Sequence, residues 1–292
     1  MDGQPIINGL SVDVEEWFQV GAFERVIAKH AWAGYAPRVE ANCDRILAIF
    51  ADTGVKATFF TRGWIAERHP AMMRRIAAQG HEIASHGWDH DRVFTLGAKA
   101  FADDLKRARA AIEQASGQAV TGYRAPSFSI DQRNPWAFEV LAEQGYAYSS
   151  SVAPIAHDHY GWRAAPRFAF RPLAGADLIE IPVTTAEFVG RRLAAGGGGF
   201  FRVLPYAFSR WAIRQVNERD HRPAVFYFHP WEIDPDQPRV AHAPLKSKLR
   251  HYTGLDGMAG KLALLLRDFR WGRMDQLAAS EAARTIAPRL AA

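Results

Sequence analysis

The stretch ANCDRILAIFADTG, residues 41–54, followed by VKATFF, residues 55–60, shows the pattern that decides the fold of this chain. Its apolar residues first recur at helical spacing, and after a glycine a short run rich in β-branched and aromatic residues begins. Gly54 stands where a helix typically ends in a left-handed residue, a conformation that glycine adopts at least cost. The stretch therefore predicts a helix that turns directly into a buried strand.

The same order of helix and strand, in most cases with the glycine between them, recurs along the 292 residues. It is found again over residues 70–86, 134–151 and 211–230. Helices that alternate with short strands are typical of parallel βα units. We count about seven strands, from Ile6–Val14 to Ala224–His229, and no GxGxxG motif follows the first of them. The sequence thus predicts an α/β fold, a distorted (β/α) barrel of about seven parallel strands.

Two parts of the chain depart from this pattern. Residues 153–202 contain four prolines and a run of four glycines, which predict irregular segments with a short β pair inserted in the barrel. From Pro244 onward a helical pattern returns and predicts a C-terminal helical extension. Since no linker divides the chain, we predict a single domain over residues 1–292, with the barrel over 6–235 and the extension over 236–275.

The composition is that of a globular protein, because 48% of the residues are hydrophobic and 23% are charged. The net charge of +5 comes without a dense block of lysine and arginine, which argues against nucleic acid as a partner. A single cysteine, Cys43, excludes an internal disulfide. No segment reaches the roughly 20 apolar residues that span a bilayer, and the N-terminus lacks the pattern of a signal peptide. We predict a soluble, cytoplasmic protein, with a peripheral position at the inner membrane and a removed leader left open.

Polar residues follow several of the predicted strands, at the edge where the active sites of parallel α/β folds gather. Asp13 and Glu15 end the first strand, and their spacing of two places both carboxylates on one face. His86 and His90, in HGWDH, share a face if that segment forms one helical turn. Either pair alone is more often a polar surface feature. Two histidines with one carboxylate nevertheless form a frequent catalytic zinc set, so the spacing predicts a metal site.

Two further strands end in a basic residue. Arg124 lies in YRAPSF, and His229 follows the apolar run VFYF. A buried arginine beside two acids holds one of them ionised and oriented, and a histidine in such company is a candidate proton donor. Pro126 makes the turn after the arginine rigid, so a backbone N–H near Ser127 is a candidate to stabilise an oxyanion.

Taken together, these motifs resemble those of the polysaccharide deacetylases of carbohydrate esterase family four, the NodB-homology group. They occur in that family's order, as SVDVEEW, HGWDH, RAPSF and FYFHP, within residues 6–235. Five further phrases resemble the subgroup associated with exosortase/PEP-CTERM exopolysaccharide loci and extend the resemblance to about residue 275. These are HDHYG, GGGGFFRVLPY, FHPWEIDPDQPR, LRHYTGLD and LLRDFRWGRMD.

The resemblance implies a role for each motif residue. It makes Asp13 the catalytic base, Arg124 the residue that orients this base, and His229 the general acid. It makes His86 and His90 ligands of a divalent metal, for which Zn²⁺ is the expected ion. The family's fold is the distorted barrel that the strand count also predicts.

The sequence departs from the family pattern in three places. Val14 stands where the usual motif has a second, adjacent acid, so we assign Glu15, on the same face as the base, to the metal. Gly87 replaces a serine or threonine after the first histidine, so a hydrogen bond there is missing or replaced. The stretch YAYSSS has serines where an aspartate that tunes the late histidine is expected, which leaves Asp158 and Glu180 as candidates.

We therefore predict a metal-dependent N-deacetylase that acts on N-acetylated sugars of an exopolysaccharide or its lipid-linked precursor, in company with biosynthesis machinery. Trp88 and Trp231, with Trp17 and Trp162, are candidates to stack on sugar faces, although tryptophans in a barrel more often belong to the core. Two alternatives stay open. One is an allantoinase-like small-molecule amidohydrolase of the same fold, and the other is a glycan-binding relic that has lost activity.

Overall fold

The computed structural model describes residues 5–156 and 161–284. Asp158, and with it most of the phrase HDHYG, lies outside the described residues. The strands are β1 (Asn8–Val14), β2 (Thr58–Thr61), β3 (Glu82–Ser85), β4 (Gly122–Tyr123), β5 (Tyr148–Ser149), β6 (Ile179–Glu180), β7 (Thr185–Phe188), β8 (Arg191–Ala194), β9 (Val225–Phe228) and β10 (Trp271–Gly272). The α-helices are α1 (Val39–Thr53), α2 (Gly63–Arg68), α3 (Pro70–Ala78), α4 (Ala98–Ser116), α5 (Trp136–Glu143), α6 (Gly198–Val203), α7 (Tyr206–Arg214), α8 (Leu245–Tyr252), α9 (Met258–Asp268) and α10 (Met274–Arg284).

Seven parallel strands form the barrel wall in the order β9–β1–β2–β3–β4–β5–β6, which confirms the predicted fold class. Strand β1 lies inside this sheet, since Val12 pairs with Phe59 of β2 on one edge and with Phe228 of β9 on the other. Strand β10 pairs in parallel with Asn8 and Gly9, at the start of β1. The barrel therefore depends on contacts between the two ends of the chain.

Side chains alternate along β1 between two environments. Leu10, Val12 and Val14 are fully buried in the larger core, which includes apolar residues of helices α1 to α5. Ser11 and Asp13 point to the opposite side of the strand, where they contact other polar groups inside the barrel. This alternation explains how an apolar strand presents an acid at its carboxyl end.

The two predicted departures from the βα pattern are present. The insertion contains the antiparallel hairpin β7–β8, and the tail contains α8 and α9. The sequence did not indicate that the tail also supplies β10 to the barrel sheet. The glycine run borders β9, because the N–H of Tyr227 donates to the carbonyl of Gly196 at 2.8 Å. Within the described ranges, no helix is both long enough and apolar enough to cross a bilayer.

The β4–β5 contact provides a test of how tightly the barrel is packed. Gly122 pairs with Tyr148 across these strands, and a Cβ on Gly122 would lie 2.2 Å from the tyrosine ring. Because Tyr148 is buried and donates its hydroxyl to Glu82, the ring cannot easily move. We expect Gly122→Ala to lower the free energy of unfolding by about 1–3 kcal/mol in urea denaturation.

The matched control for this substitution is Gly260→Ala in α9, where the added Cβ meets open space among the described residues. Glycine in a helix interior is unfavourable relative to alanine, so this variant should be more stable than the parent by up to about 1 kcal/mol. Equal stability of the two variants would contradict the close β4–β5 approach.

Candidate active site

The carboxyl ends of the parallel strands bring the predicted site residues to one edge of the sheet. Glu15 follows β1, His86 follows β3, Arg124 follows β4 and His229 follows β9. All four are adjacent to the last residue of their strand, and parallel strands end on the same side of a sheet. The structure therefore places these residues at the strand ends, and the contacts below show which of them meet.

Glu15, His86 and His90 meet in a largely buried cluster. Glu15 Oε1 lies 2.8 Å from His90 Nε2 and 3.2 Å from His86 Nε2. One ligand atom from each residue lies within 4.8 Å of the others. A carboxylate oxygen and two imidazole nitrogens at this separation are a donor set that fits a divalent ion such as Zn²⁺.

The second ring nitrogen of His86 fixes the orientation of this ligand. Its Nδ1–H donates to the carbonyl oxygen of Arg124 at 2.8 Å, which turns Nε2 toward Glu15. Histidines that bind metal usually make such an outer hydrogen bond. Gly87 itself takes part in hydrogen bonds only through its main chain, where its N–H donates to Ser85 Oγ at 3.3 Å. A Cβ on Gly87, whose φ is +70°, would approach Asp104 Oδ2 to 3.0 Å.

The HGWDH segment is not the helical turn that the spacing argument assumed. Gly87 and His90 both have left-handed backbone, with φ of +70° and +76°. This conformation is unfavourable for a histidine, and strained residues of this kind are concentrated at functional sites. The two bends bring the centroids of the His86 and His90 rings to 5.8 Å, so a loop replaces the predicted turn and still makes the rings converge.

The protonation states in this cluster suit a metal ion. Burial alone would raise the pKa of Glu15, but His90 and His86 outweigh it and hold that pKa well below its ordinary value. Burial lowers the pKa of His90, although Glu15 opposes this. Glu15 is therefore ionised and His90 favours its neutral form, which are the forms that bind divalent metals.

Arg124 is fully buried and binds Asp13 directly. Its Nη1 donates to Asp13 Oδ1 and to Ser11 Oγ, each at 2.7 Å. Its Nε and Nη2 donate to the carbonyl and the hydroxyl oxygen of Ser150, at 3.0 and 2.8 Å. The guanidinium lies over the ring of Phe60, 4.2 Å from its centroid. These contacts hold the Asp13 carboxylate in one orientation.

The serines of YAYSSS support Arg124 and the turn that follows it. Ser149 donates its hydroxyl to Ser151 Oγ at 2.8 Å, and Ser151 Oγ accepts the N–H of Ala125 at 2.9 Å. Glu180 accepts the N–H groups of Ser151 and of the next residue, both at 2.8 Å. The prediction that Glu180 tunes His229 is wrong, because its carboxylate binds this backbone instead.

The carboxylate beside His229 is Glu232, which the sequence reasoning missed. Its Oε2 lies 3.3 Å from His229 Nδ1 and accepts the backbone N–H of His229 at 3.0 Å. Its other oxygen accepts a hydrogen bond from Arg202 Nε at 2.8 Å. A sequence signal existed, since HPWE places an acid three residues after the histidine, which is the spacing of a capping box, and has a proline at the first helical position.

The charges around His229 favour its protonated form. Burial alone would lower the pKa of His229, but the hydrogen bond that its ring donates to Glu232 and the negative charges of Glu15, Glu232 and Asp13 raise it to about 9. Burial alone would raise the pKa of Glu232, but Arg202 and His229 hold it at about 2. At neutral pH His229 therefore carries a proton that it can donate.

Trp88 and Trp231 do not offer free ring faces, so the prediction that they stack on sugars is wrong. Trp88 is 8% exposed, and the guanidinium of Arg107 lies over its ring at 3.5 Å from the centroid. Trp231 is 7% exposed and stacks with His229 and with His251, at 5.1 and 4.2 Å between centroids. Neighbouring side chains already occupy the positions that a sugar would need.

Ser127 lies in the turn that follows Arg124, with left-handed backbone at φ 55° and ψ 28°. The next residue, Phe128, packs against Tyr227 of β9, whose ring centroid lies 5.8 Å from that of His229. The turn therefore borders the site. That its backbone stabilises an oxyanion stays a prediction.

Two family models match this chain in consecutive segments. Residues 33–149 match the model described as polysaccharide deacetylase. Residues 150–279 match a model described as a domain of unknown function, DUF3473. The border between the two segments falls inside the barrel, at the end of β5.

Among named relatives, the peptidoglycan deacetylase of Helicobacter pylori is 30% identical over an alignment of 157 residues that covers 49% of this chain and 53% of that protein. A chitooligosaccharide deacetylase of Sinorhizobium fredii is 34% identical over 135 residues, 46% of this chain and 55% of that protein. The chain spans about half the length of the curated relatives it matches.

The fold also matches a solved structure over almost its whole length. A candidate polysaccharide deacetylase from Mycobacterium smegmatis superposes with a TM-score of 0.64 at 20% identity, covering 99% of this chain and 98% of that one. At this identity the likeness concerns the fold. The family model over residues 33–149 and the named relatives agree that this chain is similar to the polysaccharide deacetylases, the NodB-homology group.

Proposed function

We propose that this protein is a metal-dependent N-deacetylase that hydrolyses the N-acetyl groups of a glycan. The observation that carries the proposal is the convergence of three units at one edge of the barrel. These are the metal-binding cluster around Glu15, the Asp13–Arg124 pair and the His229–Glu232 pair. A metal site, an oriented carboxylate and a protonated imidazole are the groups that hydrolysis of an amide uses.

We assign the metal to Glu15, His86 and His90, and we expect Zn²⁺ as the ion. When bound, the ion polarises the amide carbonyl and lowers the pKa of a coordinated water. The buried ligands and the hydrogen bond that orients His86 support this assignment.

The residues of this chain carry the proton transfers. Asp13, held by Arg124, accepts the proton of the attacking water. A backbone N–H near Ser127 stabilises the negative oxygen that develops on the former carbonyl. His229 donates its proton to the nitrogen of the departing amine, so that acetate and a free amino sugar are the products. Glu232 keeps His229 charged for this step.

The substrate class rests on the relatives and on the sequence phrases. Relatives carry names for deacetylases of peptidoglycan, chitooligosaccharide and chitin, all of which contain N-acetylated sugars, and this favours a glycan over a small cyclic amide. The phrases shared with the exosortase-associated subgroup point to an exopolysaccharide or its lipid-linked precursor, handled together with biosynthesis machinery. That the whole chain forms one deacetylase domain, with residues 236–275 as an extension, belongs to the same proposal.

The decisive experiment measures acetate and free amine released from chito-oligosaccharides by protein first dialysed against a chelator and then loaded with Zn²⁺. We expect the two products in equal amounts and only with metal. Allantoin serves as the control substrate for the small-molecule alternative. Bound metal without acetate from any N-acetylated oligosaccharide would instead favour the inactive relic.

The ligand assignment predicts which variants lose metal. Loss of a residue that only supports a metal ligand already weakens metal binding by roughly 10–100-fold. His86→Ala and His90→Ala remove a ligand itself, so we expect each to weaken Zn²⁺ binding by more than this. His242→Ala, an exposed histidine outside the cluster, should bind metal like the parent protein. Metal content after dialysis measures the difference. Stoichiometric metal in both cluster variants would show that the assignment is wrong.

The two acids at the carboxyl end of β1, Asp13 and Glu15, should respond differently to loss of charge. Asp13→Asn should retain metal and lose about 10²–10⁴-fold in kcat, which is the usual contribution of a general base. Glu15→Gln should lose metal first and recover part of its activity at high metal concentration. Metal titration of both variants, followed by acetate release, distinguishes the roles, and the reverse pattern would exchange them.

The His229–Glu232 pair predicts the alkaline limb of the pH profile. Because the pKa of His229 is raised from 6.5 to about 9, its protonated form persists at neutral pH and is lost as the pH rises through about 9. Glu232→Gln removes the charge that raises this pKa, so the limb should move down by about one pH unit or more. His229→Ala should flatten the limb and reduce kcat at unchanged metal content. An alkaline limb that is the same in the parent and in His229→Ala would exclude His229 as the acid.

A further inference from the structure

Three sequence phrases that are distant along the chain meet behind the candidate acid. They are GGGGFFR (residues 196–202), FHPWE (residues 228–232) and LRHYT (residues 249–253). All three belong to the segment matched by the domain of unknown function, residues 150–279. In the folded chain a single buried side chain, that of Arg202, connects them.

The guanidinium of Arg202 lies between a carboxylate and a helix end. Its Nε donates to Glu232 Oε1 at 2.8 Å. Its Nη1 donates to the carbonyl oxygens of His251 and Thr253, at 3.0 and 2.6 Å, and its Nη2 donates to that of Arg250 at 3.3 Å. These carbonyls belong to the last turn of α8 and the residue after it, where a positive charge is favourable. Helix α8 thus holds the arginine that holds Glu232.

The glycine run leaves the space that this arrangement needs. A Cβ on Gly198 would lie 2.0 Å from Glu232 Oε2, the oxygen that contacts the acid. A Cβ on Gly196 would lie 2.4 Å from the carbonyl oxygen of Val225 in β9. Gly199, by contrast, has nothing within 4 Å of such an atom in the described chain. The four glycines therefore differ in how much space surrounds them. Gly198 is the one at which a side chain would displace the carboxylate of Glu232.

A stack of rings fills the remaining space beside His229. The ring of Trp231 stacks with the ring of His229 and also with the ring of His251 of α8. His251 Nε2 is bound to Gln237 Oε1 at 2.6 Å, and burial lowers the pKa of His251 to about 3. This histidine is therefore neutral, and α8 contributes packing to the acid in addition to the carbonyls that bind Arg202.

We propose that Arg202 is a positioning residue for the general acid, and that the segment of unknown function forms the acid half of the deacetylase site. Each oxygen of Glu232 has its own partner, Arg202 on Oε1 and His229 on Oε2. With Arg202 removed, a buried carboxylate loses its main counter-charge and its fixed orientation. The carboxylate can then move away from His229 Nδ1, and the larger separation weakens the attraction that keeps His229 charged. The inference rests on the proposed function.

The other charged groups around His229 stay in place when Arg202 is changed. Asp13 and Glu15 face His229 from β1, and both are held by partners outside the acid half. Loss of the positive charge of Arg202 would by itself favour the protonated form of His229, so a lower pKa of His229 in an Arg202 variant comes through displacement of Glu232. A role of Arg202 in stability alone would not lower that pKa.

The test uses two independent ways to displace Glu232. Arg202→Met removes the counter-charge, and Gly198→Ala places a methyl group against the carboxylate. Both should reduce kcat by about tenfold or more and move the alkaline limb of the pH profile down by about one pH unit, at unchanged metal content. Arg202→Lys, which keeps the charge but not the planar fork, should fall between the parent and Arg202→Met.

Two matched controls separate positioning from stability. Gly199→Ala changes the adjacent glycine without a close contact, and Arg222→Met removes an ion pair with Glu281 far along the chain from the acid. Both should keep the alkaline limb of the parent, even where Arg222→Met lowers the midpoint of thermal unfolding. If Arg202→Met does not fold, the alkaline limb and kcat of Gly198→Ala alone test the proposal.

NMR titration of the His229 ring provides a readout that does not depend on activity. A lower pKa of His229 in Gly198→Ala than in Gly199→Ala supports the positioning role. The same pKa in both variants, or a loss of kcat with an unmoved alkaline limb, overturns it. If the parent protein releases no acetate while the NMR shift is present, the proposed function fails and the positioning of His229 by this segment stands.

Discussion

The buried guanidinium of Arg124 is the interaction on which the site depends. A charged group without exposure is costly unless oxygen atoms fill its donors, and here Asp13, Ser11 and Ser150 provide them. The carbonyl of the same residue orients His86. Because these partners lie at the carboxyl ends of β1, β3 and β5, the strand order that builds the barrel also sets how far Asp13 lies from the cluster of Glu15, His86 and His90.

The site consists of two halves, and each half contains a buried arginine that orients a carboxylate. Arg124 orients Asp13 in one half, and Arg202 orients Glu232 in the other. The border between the two matched family segments falls next to Ser150, a partner of Arg124. Neither segment contains a complete set of groups, because Asp13 and Glu15 lie before residue 33, outside both matches. The strand that carries Asp13 pairs directly with β9, after which His229 follows.

The sequence predicted those parts of the fold and site that depend on local pattern. The end of a strand can be recognised from the few residues around it. Asp13 and His229 could therefore be identified as site candidates from the same pattern that predicted the barrel. The Arg202–Glu232 contact was not found, because it joins side chains 30 positions apart that meet only through tertiary packing, which a local pattern does not encode. The exposure of Trp231 was also mispredicted, since it depends on which side chains arrive from α8. Strand β10 is too short, at two residues, to produce a pattern.

The position of β1 has a consequence for how the chain is made. Gly9 in β1 pairs with Val225 in β9, over 200 residues later. At 5–20 residues per second, a ribosome needs roughly 10–40 s to extend the chain from one strand to the other. During this interval the β9 edge of the strand that carries Asp13 is an open template for pairing with other nascent chains. Because β9 is translated long after β1, the barrel closes only when β9 becomes available. The risk of aggregation at the β1 edge ends at that point.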